Sequence, residues 1–240
     1  MGEYEPTVFV VDNDKEVCRS ISFLVNNIGL NVQTFYDPLH FLDAYKAEQS
    51  GCLVADMLMP NFSGFELNSR LVDKGINLPT IIITGQADVA TAVEAMKRGI
   101  VDYIEKPFNN KVLSDAINRA IRQDSENRAM EDFKAKFSVK VSSLTPRESD
   151  IADLLIEGKP NKEISYQLGI SLKTVHFHRN NILDKMAASS IVDLILLVYR
   201  AHGAQAMKSI SEQIPLHSRR KADFRNAVLT SETVNNSQEI

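Results

Sequence analysis

Four side chains with complementary chemistry close four short apolar runs in the first half of the chain. Asp12 follows Thr7–Val11, Asp56 ends the run 52–56, Thr84 ends Thr80–Thr84, and Lys106 follows Asp102–Glu105 directly. Two carboxylates, a hydroxyl and an ammonium at one place suit phosphoryl transfer to a carboxylate with the help of a divalent ion. Mg²⁺ takes oxygen ligands, keeps waters and needs only one or two carboxylates. An ammonium and a hydroxyl then stabilise charge on the transferring oxygens. Taken singly, each residue reads equally well as a solvated strand end.

The elements around them decide whether they meet. Helix-period segments at 16–27, 38–49, Gly64–Asp73, 88–98 and 110–122 alternate with the runs, the second of which is Asn31–Phe35. Strand and helix alternating five times predict an α/β fold, a parallel sheet covered on both faces. Val8-Phe9-Val10-Val11 and Ile81-Ile82-Ile83 are apolar throughout, as strands buried on both sides should be. A flavodoxin-like order of 2-1-3-4-5 collects the four polar ends on one rim.

From residue 143 the pattern is wholly helical. Thr145-Pro146 with Glu148 reads as a capped helix start carrying a first-turn proline. Gly158 ends that helix, Asn161 is expected to cap the next, Gly169 makes a tight turn and Ser171 caps a third. Two short helices joined through Leu-Gly-Ile-Ser form a helix-turn-helix pattern. At about 100° per residue, Val175, Ile182 and Met186 share one side of the third helix, the core stripe. Lys173, His176, Phe177, Asn180 and Asp184 centre on the other. Phe177 facing away from a core suits thymine methyls in a major groove, or else a partner protein. In the last helical segment, 190–201, Ile191, Leu194, Ile195 and Val198 recur at helical spacing. They read equally well as a helix-pairing face or as core.

Composition narrows the class. With 44% hydrophobic and 24% charged residues, the 240-residue chain reads as a soluble globular protein of one or two domains. No apolar stretch approaches the roughly 18–20 residues of a membrane span, and no basic segment precedes an apolar one near the start, so no secretory signal is expected. Cys18 and Cys52 lie in apolar runs without CxxC spacing, which suits buried thiols in a reducing cytoplasm. The net charge of −4 belongs to the first half: residues 1–122 carry 11 Lys/Arg against 16 Asp/Glu, and residues 143–203 carry 7 of each. Nucleic-acid binding therefore rests on the motif and not on bulk charge.

The motifs are similar to those of a known family. Asp56-Met-Leu-Met-Pro60 with Ser63-Gly64, Thr84-Gly85 and Lys106-Pro107-Phe108 resembles the receiver domain of two-component response regulators. The resemblance covers residues 6–122. It implies that Asp56 is phosphorylated by a sensor histidine kinase, that Thr84 and Tyr103 are switch residues, and that the Leu58 main-chain carbonyl completes a Mg²⁺ site with Asp12 and Asp56. The family usually has two adjacent acids after strand one, where this chain has Asp12-Asn13. Asn13 can offer a carbonyl oxygen but no charge, and Asp14 either compensates or caps the first helix.

Thr-Pro-Arg-Glu, Asn-Lys-Glu-Ile, Lys-Thr-Val, His178-Arg179 and Lys185-Met186 resemble the LuxR-type output domain of NarL/FixJ response regulators, closest to the FixJ-like branch. This implies base contacts from His176, Phe177 and Asn180, and phosphate contacts from Lys173, Thr174, Arg179, Lys185 and Lys162. It also implies a homodimer on phosphorylation, formed through the final helix, with promoter DNA and RNA polymerase as partners. The expected organisation is a receiver at 1–122, a helical linker at 123–142, a helix-turn-helix domain at 143–203 and a polar, mobile tail at 204–240. His217-Ser-Arg-Arg-Lys221 reads as a solvated charge run or a phosphate contact. Two rival readings stay open: a hydrolase that forms a phospho-carboxylate, and a degenerate receiver that Asn13 has taken out of phosphate control.

Overall fold

The computed structural model describes residues 5–60 and 62–202, and the tail expected at 204–240 lies outside them. The chain divides into two compact units between Ala129 and Met130. In the first, β1 (Thr7–Val11), β2 (Asn31–Phe35), β3 (Gly51–Asp56), β6 (Thr80–Thr84) and β7 (Asp102–Glu105) form an all-parallel sheet in the order β2-β1-β3-β6-β7. This is the expected 2-1-3-4-5 order once the short hairpin β4 (Leu58–Met59) and β5 (Phe62–Ser63) is set aside.

Alternation along each strand sends successive side chains to opposite faces. Phe9, Val11, Leu53, Ala55 and Ile82 join one core with Phe41 of α2 (Pro38–Ala44) and Leu67 and Leu71 of α3 (Gly64–Asp73). Val8, Val10, Val54, Ile81 and Ile83 join the other with Cys18, Ile21 and Val25 of α1 (Lys15–Asn27) and Leu113 and Ile117 of α5 (Asn110–Ser142). Each fully buried branched side chain contributes about 1.5–3 kcal/mol.

Side-chain caps set most helix starts. Asp14 accepts from Glu16 N–H, Asp37 from Leu39 N–H, Ser63 from Glu66 N–H, and Asp88 starts α4 (Val89–Lys97) by accepting from Thr91 N–H. The second expected helix stops five residues early, at Ala44. The carbonyls of Ala47, Glu48 and Gln49 accept from the Arg128 guanidinium, and Gln49 also accepts from Tyr45 Oη.

In the second unit α6 (Pro146–Ile156), α7 (Asn161–Gln167), α8 (Leu172–Met186) and α9 (Ile191–His202) pack with the last part of α5. The stretch expected as a linker thus supplies core: Phe137 and Val141 are buried with Ile151, Ile164, Val175, Ile182 and Met186. Thr145 and Glu148 close both halves of a capping box, and Ser171 caps α8. Asn161 does not cap α7. Pro160 occupies the cap position without a side-chain bond, and Asn161 is the first helical residue. Gly169, at φ +61°, takes the left-handed turn between α7 and α8 that a side chain would strain.

Candidate functional site

The parallel register brings the four strand-end groups together. Lys106 Nζ lies 2.8 Å from Asp12 Oδ2 and 2.6 Å from Asp56 Oδ1, so one ammonium bridges the carboxylates that end β1 and β3. Asp12 and Asp56 are 3% and 9% exposed. Each keeps its second oxygen on a main-chain donor: Asp12 accepts from Asp14 N–H at 2.8 Å, Asp56 from Leu58 N–H at 2.9 Å. Gly64 is required here by close approach, since a Cβ would sit 2.7 Å from the Asp56 carbonyl oxygen.

Burial pushes the Asp12 carboxyl above its ordinary range, against the pull of Lys106. Burial also opposes charge on Lys106, but its bonds to Asp12 and Asp56 together outweigh that and hold its pKa above the usual lysine value. The site therefore carries a firmly protonated cation between two carboxylates. Asn13 is exposed beside it, and the Leu58 side chain turns out to solvent.

Thr84 is buried at the same rim, and its hydroxyl is engaged by Gln86. Its hydroxyl donates to the Gln86 carbonyl at 2.9 Å and accepts from Gln86 N–H at 3.2 Å. Tyr103, half-buried against the core that holds Phe65, directs its hydroxyl to that same carbonyl at 3.5 Å. Gln86 went unnoticed in the sequence, because a main-chain acceptor carries no residue signature. Among the described residues no group of three or more His, Cys, Asp or Glu gathers as a metal cluster. The cysteines are buried and their thiols pushed up by burial, Cys18 to about 11 and Cys52 to about 12, which leaves them inert.

The second assembly lies on α8. Val175, Ile182 and Met186 are fully buried, whereas Lys173, His176, Phe177 and Asn180 are exposed, Phe177 to 62%. Thr174 and Arg179 are half-buried at the edges of that face, and Thr174 also bonds the Ser171 hydroxyl at 2.8 Å. His176 Nε2 lies 3.4 Å from the Asn161 amide, linking the exposed face to α7. Lys162 is exposed on α7, and one turn later so is Tyr166, at 88%. An aromatic that open beside a lysine was legible in the sequence by the same angular argument as Phe177, and was missed.

One expectation needs correction, and one open alternative is decided. Lys185 is not a free phosphate contact: its ammonium bonds the buried Glu148 carboxylate at 2.6 Å and the Ser143 carbonyl at 3.1 Å, tying the end of α8 to the start of α6. Burial works against charge on Glu148, but the bonds from Lys185 and Thr145 N–H hold its carboxyl below the usual range. The run Ile191, Leu194, Ile195, Val198 does not form an open pairing face. Leu194 and Val198 are core, Ile191 and Ile195 are half-buried, and the open stripe is Val192, Leu196 and Tyr199 at 66%, 59% and 58% exposure.

Comparison with known proteins finds a family match in each half of the chain. Residues 8–118 match the response regulator receiver domain family, and residues 142–198 match the luxR family of bacterial regulatory proteins. The chain is similar to the transcriptional regulatory protein FixJ of Azorhizobium caulinodans, 37% identical over 199 residues that span 83% of this chain and 94% of that one. It is also similar to the transcriptional regulatory protein TdiR of Thauera aromatica, 38% identical over 81% and 86% of the two chains. Among solved structures, the response regulator StyR superposes with a TM-score of 0.72 at 38% identity, covering 82% of this chain and 99% of that one. Full-length FixJ from B. japonicum superposes at 0.51 with 38% identity, covering 82% and 97%.

Proposed function

The chain belongs to the two-component response regulators that join a receiver domain to a LuxR-type DNA-binding domain, and we propose on that premise that phosphorylation of Asp56 controls how α8 engages promoter DNA. The observation that carries the reading is the Asp12–Lys106–Asp56 bridge, with its 2.8 and 2.6 Å contacts at the sheet's carboxyl rim. A sensor histidine kinase is the donor. An Asp56 oxygen forms the new bond to phosphorus, the phosphorus–nitrogen bond of the donor's phosphohistidine breaks, and the freed imidazole nitrogen takes a proton. Lys106 holds fixed positive charge beside the phosphoryl oxygens, and Thr84 turns from Gln86 to donate to one of them.

The local donors are all oxygen: the carboxylates of Asp12 and Asp56, the amide oxygen of Asn13 and the Leu58 carbonyl. That set fits Mg²⁺, which tolerates few carboxylates if waters complete its shell. Bound there, the ion would supply further positive charge to the transferring phosphoryl group.

We assign residues 1–122 to the receiver, 143–203 to the DNA-binding domain and 204–240 to a tail; between the first two, the stretch 123–142 expected as a helical linker continues α5 and gives Phe137 and Val141 to the second unit's core. Lys173, Thr174 and Arg179 take phosphates; His176, Phe177 and Asn180 take base edges. Phosphorylation promotes a homodimer. Open apolar stripes on α4 (Val89, Val93, Met96) and α9 (Val192, Leu196, Tyr199) support pairing at both. The protein acts in the cytoplasm, with RNA polymerase as the further partner. No described helix is long and apolar enough to cross a membrane.

Intact-mass measurement after treatment with acetyl phosphate and Mg²⁺ tests the reading. Wild type should gain one phosphoryl group and bind DNA more tightly, and Asp56→Asn should do neither. A mutant that still gains mass has another acceptor. A wild type that gains none, while still binding DNA, makes this a receiver freed from phosphate control, the reading that Asn13 favours.

A further inference from the structure

The helix α4 is held to the receiver by few contacts. Ala95 is its one buried residue, and Thr91 and Ala92 are half-buried. A helix that buries so little apolar surface draws little stability from packing, so single polar contacts weigh heavily in where it sits. Arg98, the residue that caps its C-terminal end, supplies several of them. Its guanidinium donates to Glu94 Oε1 from Nε at 3.0 Å and from Nη2 at 2.6 Å, and from Nη1 to Ser69 Oγ of α3 at 3.1 Å. The guanidinium carbon also lies 5.2 Å from the centroid of the Phe65 ring, within the range of a cation–π contact.

The pair with Glu94 is an exposed contact one turn away on the same helix, a kind that contributes little by itself. Ser69 and Phe65 are different, because they belong to α3 and fasten α4 to a neighbouring element. Phe65 is the same ring that packs with Tyr103, centroids 6.5 Å apart, so one buried side chain touches both the β7 tyrosine and the end of α4. Its backbone has little room to yield. The preceding Gly64 donates to the Met57 carbonyl at 3.1 Å and stands so close to the Asp56 carbonyl that a Cβ would not fit. A push on the ring from Tyr103 is therefore passed to the guanidinium, which is 40% exposed and free to swing into solvent.

We propose that Arg98 is the positioning residue through which Tyr103 acts on α4. Seated on Phe65 and Ser69, it latches the C-terminal end of α4 to α3 in the unphosphorylated protein. When Thr84 gives up the Gln86 carbonyl and Tyr103 moves inward against Phe65, the guanidinium is displaced and α4 is released, with Val93 and Met96 free to pair. This rests on the reading that Asp56 is phosphorylated.

Full-length wild type, Arg98→Ala and Glu94→Gln, each with and without acetyl phosphate and Mg²⁺, test the latch. Intact mass should show the same phosphoryl gain in all three, since neither residue touches the Asp56 site. In unphosphorylated Arg98→Ala, amides of 93–98 should exchange several-fold faster than in wild type, and phosphorylation should add no further increase. Sedimentation should find that variant dimeric without phosphate, at concentrations where wild type is monomeric. An α4 that had merely unfolded would lose its apolar stripe and dimerise less, which would overturn the proposal. Exchange at 93–98 that matches wild type would overturn it too. Glu94→Gln should behave as wild type, because Ser69 and Phe65 still hold Arg98; the same release in that variant would place the latch in the exposed pair and refute the assignment. A wild type that gains no phosphoryl mass would sink the phosphorylation reading, while exchange and sedimentation of unphosphorylated Arg98→Ala would still decide the latch.

Discussion

The hydroxyls of Thr84 and Tyr103 converge on one acceptor, the Gln86 carbonyl oxygen, at 2.9 and 3.5 Å. Thr84 cannot turn toward a phosphoryl group on Asp56 without giving up that bond. When it does, Tyr103 becomes the remaining side-chain donor to the carbonyl and can move inward against Phe65, whose ring centroid is 6.5 Å from its own. We propose that the two side chains act together as a two-state element that phosphorylation of Asp56 biases. Thr84→Ala is expected to leave phosphorylation of Asp56 by acetyl phosphate intact but to abolish most of the accompanying gain in DNA affinity. Equal gains in wild type and variant, measured by titration of labelled duplex, would remove Thr84 from the switch.

In the proposed Mg²⁺ site, Asn13 stands where a carboxylate would add a negative charge. Restoring a carboxylate with Asn13→Asp should tighten Mg²⁺ binding by roughly 1–2 kcal/mol, about five- to thirtyfold, the scale of one more charge near a divalent ion in a solvated setting. Titration of Mg²⁺ into the two proteins checks it. Binding that is unchanged or weaker would show that another ligand already fills this place.

Glu148 joins Lys185 to the start of α6, and it is 3% exposed while the Lys185 side chain is 35% exposed. Because one partner reaches solvent, Glu148→Gln should cost roughly 2–3 kcal/mol, below the range for a fully buried pair. The Glu148 carboxyl is held below its ordinary value of 4.5. Its stabilisation is therefore present above pH 4.5 and lost as pH falls through the folded-state pKa. Hydrogen exchange of α6 and α8 amides should show the gap between wild type and variant narrowing below pH 4.5. A gap constant from neutral pH to pH 3 would mean the charge contributes nothing.

On α8, Lys173→Ala should weaken binding to specific and random duplexes alike and reduce the salt slope by about 0.9, the value of one phosphate contact. Phe177→Ala or Asn180→Ala should instead cost about 1–3 kcal/mol on a cognate site selected from random duplexes, with random-DNA binding nearly unchanged. If Phe177→Ala weakens both kinds of DNA equally, the exposed face of α8 does not meet the groove floor.

Much of this molecule was legible in one dimension. Strand runs, helix starts and the turn at Gly169 follow from residues within about four positions of one another: an alternating apolar pattern, an Asp14 or Ser171 oxygen beside the amide it caps, a glycine where φ must be positive. Such interactions are as local in sequence as in space, so spacing alone determines them. The strand order then carried Asp12, Asp56, Thr84 and Lys106 to one rim, as the alternation of strand and helix implied.

What the sequence left open are partners chosen at long range. Lys106 finds Asp12 and Asp56 across 94 and 50 residues, and Lys185 finds Glu148 and Ser143 across 37 and 42. Nothing in the residues near Lys185 distinguishes a lysine that meets DNA from one that meets a buried carboxylate. The apolar run on α9 likewise fits a pairing face or a core until α5, α6 and α8 are packed against it, which buries Leu194 and Val198 and leaves Val192, Leu196 and Tyr199 outside. Sequence spacing determined which side chains share a face. Only tertiary packing decided which face met the core, because burial depends on what the rest of the chain brings to that surface.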